Sequence, residues 1–169
     1  MSNICKKIQG FTLIELMITL AIAAILASLA APSFRDIIQN NRMTTQYNDL
    51  LASLSLARSE AIKRGENVIA LSNNGTSWED GWTIFIDADS DGTVDAGEEL
   101  RVNAKLSGNN TLRFARDRVT YASSGLGSGL ITGTFTLCDD RPVAKGLVVS
   151  TTGRIRQALP AENAALVCP

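Results

Sequence analysis

The sequence of 169 residues contains no histidine. That removes the usual proton shuttle near neutral pH and the commonest metal ligand. Cysteine is scarce, with Cys5, Cys138 and Cys168 alone, and none has a histidine to draw off its proton. No phosphate-cradling P-loop and no Gly-x-Ser-x-Gly elbow occur. The chain reads as a non-enzyme. Charge of either sign is also missing in excess: the net value is −1, so any nucleic-acid contact must come from a local patch. No internal repeat is visible, and the length suits one modest domain plus an appendage.

What is present begins with an apolar run, FTLIELMITLAIAAILASLAA, from Phe11 to Ala31. Its ~21 residues make a helix of roughly 31 Å, enough to cross a bilayer core. Lys6 and Lys7 precede it, and no basic residue follows until Arg35. The positive-inside rule then keeps the N-terminus cytoplasmic and exports the rest. An ordinary secretory leader would be cut after the run, near Ala30-Ala31. Against that stands Glu15, a carboxylate near the start of the run, where an ionisable group is costly and by default functional.

The stretch KKIQGFTLIELMITLAIAAILASLAAPSF resembles the start of type IV prepilins and type II secretion pseudopilins. The resemblance implies that a membrane-embedded prepilin peptidase cuts between Gly10 and Phe11 and that Phe11 is then N-methylated. Glu15 takes the place of the family's assembly glutamate. In an apolar bundle it would face the N-terminal ammonium of a neighbouring subunit, a pair whose value lies in register as much as in energy.

Beyond Pro32, which is expected to kink the helix rather than end it, apolar residues recur at helical spacing: Tyr47, Leu50, Leu51, Leu54, Ala57, Ala61 and Ile62. Gly65 supplies a C-cap after Lys63 and Arg64. The spacing predicts one helix from about Phe11 to Arg64. The domain reading is a leader over 1–10, a membrane or filament-core helix over 11–31, the amphipathic half of that helix over 32–64, and a β-rich head over 65–169. In the head, strands are predicted at Asn67–Leu71, Gly81–Ile86, Glu99–Ala104, Thr111–Phe114, Val119–Ala122, Gly133–Leu137 and Gly146–Ser150. The glycine-rich SSGLGSG reads as a flexible loop. A helix followed by antiparallel strands is an α+β arrangement, and with the resemblance it implies the type IV pilin fold.

LLASLSLARSEAIKRGENVIAL, GWTIFIDADSDGTVDAGEELRV and a late TGRIR are similar to the minor pilins of the FimT, FimU and GspH group, the FimT type most of all. This implies other major and minor pilins as partners, the inner membrane as anchor, a periplasmic head and a place in a pilus. FimT-type pilins carry a GRxR pattern implicated in binding double-stranded DNA during natural transformation. It falls here on Gly153, Arg154 and Arg156. In extended backbone Arg154 and Arg156 project to one side and Ile155 to the other. Guanidinium forks suit phosphate oxygens. Lys145 and Arg141 lie nearby in sequence and extend the candidate patch. Without aromatic residues there, only weak, salt-sensitive, sequence-independent contact is expected. The alternative is a priming or tip minor pilin, or a secretion pseudopilin, that touches only other pilins.

With Cys5 in the leader, Cys138 and Cys168 remain as an even pair in an oxidising compartment. They read as a disulfide closing ~30 residues around Gly153–Arg156, worth roughly 3–4 kcal/mol, or as two thiols. Asp87, Asp89, Asp91, Asp95 and Glu98, with Gly92 at the turn, match a calcium-loop spacing. The flanks read as strands, not helices, so the segment is either a calcium loop or a solvated hairpin turn. No cofactor is required.

Overall fold

The computed structural model describes residues 10–129, 131–141 and 143–168; the basic leader with Cys5, Lys6 and Lys7 lies outside them. The chain divides into two units, Met1–Asn40 and Asn41–Pro169.

Helix α1 spans Leu13–Arg64 and does not end at Pro32. Thr12 caps its start: the Glu15 backbone N–H donates to the Thr12 hydroxyl at 3.2 Å. Gly65 closes it, with φ +73 and its N–H bonded to the Ala61 carbonyl at 3.0 Å. Within the first unit the helix is apolar and exposed; Leu13, Leu16, Ile18, Leu20, Ile25 and Leu29 all lie open. An 18-residue window there has mean hydropathy 2.4, long and apolar enough to cross a membrane by length and composition.

The second unit holds the core. Met43, Tyr47, Leu50, Leu54, Ala57 and Ala61 form one buried stripe on the later part of α1. Two antiparallel sheets cover it. The first runs β3 (Glu99–Asn103), β2 (Trp82–Asp87), β1 (Asn67–Ser72), β5 (Arg118–Tyr121), β6 (Gly127–Ser128). The second runs β4 (Thr111–Arg113), β7 (Gly133–Cys138), β8 (Ala144–Val149), β9 (Ile155–Gln157). A short helix α2, Pro160–Ala164, follows.

The seven expected strands are present within two residues of their expected ends; β6, β9 and α2 are additional. β6 forms inside the glycine-rich loop, pairing Gly127 with Tyr121 and Ser128 with Thr120. Aromatic rings join the layers: Phe114 stacks on Phe135 at 4.0 Å, and Trp78 meets Phe135 edge-on at 4.8 Å.

Candidate nucleic-acid interface

The late arginines sit on the second sheet. β8 places Leu147 and Val149 in the core, so Gly146 and Val148 turn outward. β9 pairs with β8 through Val149↔Ile155 and Val148↔Arg156. Ile155 packs against the core, while Arg154 and Arg156 are exposed on the outer face. Both line a cavity of about 300 Å³ with Val148, Ser150 and Thr152. Four hydroxyl and cationic side chains around one shallow hollow can hydrogen-bond an anion's oxygens.

The two arginines differ in what already holds them. Arg154 makes no side-chain hydrogen bond or ion pair among the described residues. Arg156 is clamped by Glu162 of α2, with Nη1 and Nη2 on the two carboxylate oxygens at 2.7 and 2.8 Å. Arg156, and next the Leu159 N–H, hold the Glu162 carboxyl down at about 2. The expectation of two open forks is corrected: an anion approaching Arg156 must displace Glu162. The sequence carried a trace of this pairing only in the opposite charges six residues apart.

Three other expected members do not join the patch. Gly153 is buried, and its N–H already bonds the Ser150 carbonyl at 2.9 Å. Its role is packing. At φ +72, a Cβ would stand 2.9 Å from the Gly125 carbonyl and 3.0 Å from the Tyr121 ring. Lys145 alternates with Leu147 and so faces α1, where Nζ donates to the Thr44 hydroxyl at 2.9 Å. Arg141 lies in the β7–β8 connection, at the other end of β8 from Arg154, and bonds Asp139 through Nε at 3.0 Å.

Cys138 and Cys168 form a disulfide, with Cα atoms 5.8 Å apart. It ties down a C-terminal strap across the outer face of the sheet. Under the strap lies Gly146, whose N–H donates to Asn163 Oδ1 at 2.7 Å; a Cβ there would meet Ala158 and Leu166. The bond therefore fixes the segment that carries Glu162.

The acidic segment is a β2–β3 hairpin loop. Asp87, Asp89 and Asp91 each bring a carboxylate oxygen to within 4.8 Å of the others. These oxygens also accept turn bonds: Asp87 from the Gly92 N–H at 2.9 Å, Asp91 from the Thr93 N–H at 2.7 Å. Glu98 accepts from the backbone of Ala88 and Asp95, both at 3.2 Å. Asp91 first, with Glu98 and Asp89, pushes the Asp95 carboxyl up.

Residues 46–153 match the family model described as "Type II transport protein GspH". The chain belongs to the GspH family. Residues 5–31 match the prokaryotic N-terminal methylation motif. A fimbrial protein of Pseudomonas aeruginosa is 29% identical over 143 residues, covering 78% of this chain and 90% of the relative. The pilin-like protein PilA1 of Thermus thermophilus is 28% identical over 153 residues, covering 89% and 92%. The crystal structure of the type IV minor pilin FimU of P. aeruginosa shares the fold, with TM-score 0.64 and 23% identity over 73% of this chain and 92% of that one.

This GspH-family chain is thus a type IV minor pilin of the FimT, FimU and GspH group, with the α+β pilin fold and a structural rather than enzymatic role. Gly10 and Phe11 stand exposed just ahead of α1, inside the methylation motif, and Glu15 lies exposed in the helix's first turn.

Proposed function

We propose that this minor pilin binds double-stranded DNA through the outer face of its second sheet and serves DNA uptake. The carrying observation is Arg154, exposed and without an ion-pair partner among the described residues, sharing one hollow with Arg156. In this reading the peptidase cuts between Gly10 and Phe11, and the apolar helix anchors the chain in the inner membrane, its head in the periplasm. Phe11 is methylated, and Glu15 sets register against neighbouring pilins. With Arg156 held by Glu162, one phosphate contact per subunit gives a salt slope of about −0.9 on logarithmic axes, so avidity along one DNA molecule supplies the working affinity.

The Arg156–Glu162 clamp supports a second reading, an assembly-only minor pilin whose outer face is already neutralised in part. A gel shift separates them, using the full chain in detergent micelles and duplexes of unrelated sequence at low and moderate salt. DNA uptake requires a shift that Arg154→Gln with Arg156→Gln removes while the melting curve stays put. No shift at low salt and high protein concentration leaves the assembly-only reading.

A further inference from the structure

The second unit carries a basic groove at one end and the acidic hairpin loop at the other. The groove lies between α1, the end of β3 and the residues after it, and encloses about 480 Å³. Arg42 and Arg101 line it, with Lys105, which is engaged by Asp80 at 2.7 Å. The Arg42 side chain makes no hydrogen bond or ion pair among the described residues. Among the described residues Arg101 uses only its Nε, on Asn103 Oδ1 at 3.1 Å. Asp49 is the one carboxylate among the lining residues.

Trp82 also lines the groove. It is 1% exposed, yet its Nε1–H finds no acceptor among the described residues. A buried N–H is costly to leave unmade and is normally paired. Trp78 shows the ordinary arrangement, donating to the Arg116 carbonyl at 2.8 Å. A groove lined by that tryptophan and by two guanidiniums with spare donors is suited to a carboxylate.

The hairpin loop supplies that chemistry at the opposite end. Asn67↔Asp87 pairing puts the loop at the C-terminal end of α1, just past Arg64. The groove end is fixed against earlier turns, by Ser53 on Asn103 at 3.4 Å and Gln46 on Ser107 at 2.9 Å. Along β2 the two ends are about 17 Å apart. A surface that meets its complement on the far side of the same fold makes a heterologous contact, the kind that propagates into open helical filaments.

We infer that the Arg42–Arg101–Trp82 groove receives a carboxylate-bearing loop of a neighbouring pilin head, of the type this chain presents at Asp87–Glu98. The inference rests on assembly with other pilins and is independent of DNA binding. The protein has two tryptophans, so its indole N–H resonances report the groove and an internal control. The ¹⁵N-labelled full chain, in zwitterionic detergent micelles, is titrated with a synthetic peptide of residues 87–98. A second peptide carries Asn and Gln in place of the acids.

The Trp82 resonance moves saturably with the acidic peptide, the Trp78 resonance stays, and the neutral peptide is silent. Arg42→Gln with Arg101→Gln weakens the response about tenfold or more, with Trp78 unmoved as the sign of an intact fold. A Trp82 signal unmoved at millimolar peptide, or moved equally by the neutral one, overturns the inference. So does a signal that answers anionic phospholipid but not the peptide. None of these outcomes bears on the gel shift, so the two readings fail separately.

Discussion

The two ends of α1 are one secondary structure in two situations. Before Asn40 its large apolar side chains lie open, Leu13 at 76% and Leu29 at 70% exposure. After Asn41 its apolar stripe is closed, Leu54, Ala57 and Ala61 at 0%. Helix propensity does not separate them; partners do. The later segment finds its partners in its own chain, so it belongs to folding. The earlier segment must find them in lipid or in other subunits, so it belongs to assembly. The arginines repeat the contrast at small scale, Arg156 satisfied by Glu162 and Arg154 left for something outside.

The largest expected effect breaks that contrast directly. Leu54→Ala opens a cavity in a fully buried site and is expected to cost about 2–5 kcal/mol. Ile18→Ala removes comparable apolar surface from the exposed segment and is expected to leave head stability unchanged. Denaturant unfolding of both variants in micelles, followed by near-UV circular dichroism, checks this. Equal destabilisation by both would mean that the earlier segment also finds its partners within the chain.

Next comes the disulfide. Cys138→Ser releases a closure spanning 30 residues and is expected to lower stability by about 3–4 kcal/mol in the chain-entropy account. Because the strap holds Glu162 over β9, the same variant is expected to raise amide exchange in α2 and β9 more than in β1 or β2. Uniform exchange would show that the strap is not a separate element.

How much of this was legible follows from how local each signal is. The α1 stripe and the seven strands declare themselves through periods of 3.6 and 2. β6 reads as loop in the sequence because its two residues are Gly127 and Ser128, which carry no strand preference. Their pairing is decided by close approach: a Cβ on Gly127 would collide with Ile131. The GRxR arginines were placed on one face by alternation alone. Alternation applied to β8 would also have removed Lys145, once Leu147 and Val149 were recognised as core. Glu162 was invisible for another reason. Its meeting with Arg156 depends on the turn at Ala158-Leu159 and on a strap tied by a distant cysteine.

Glu162 also gives the smallest and sharpest test. Its folded-state carboxyl sits at about 2, below the ordinary 4.5, chiefly through Arg156. A depressed acid contributes stability that is present above the unfolded value and lost as pH falls through the folded one. The strap is therefore expected to stay clamped at neutral pH and to loosen only between about 4.5 and about 2. A ¹³C carboxyl titration reads this directly. Titration at the ordinary value would mean that Arg156 is as open as Arg154, and the distinction between them would vanish. If the depressed value is found, Glu162→Gln at neutral pH unmasks the second fork. In the DNA-binding reading the gel shift should then strengthen several-fold at low salt, with a slope steeper by about 0.9. An unchanged shift in that variant would assign DNA contact to Arg154 alone, and Arg156 would join the residues that serve only the fold.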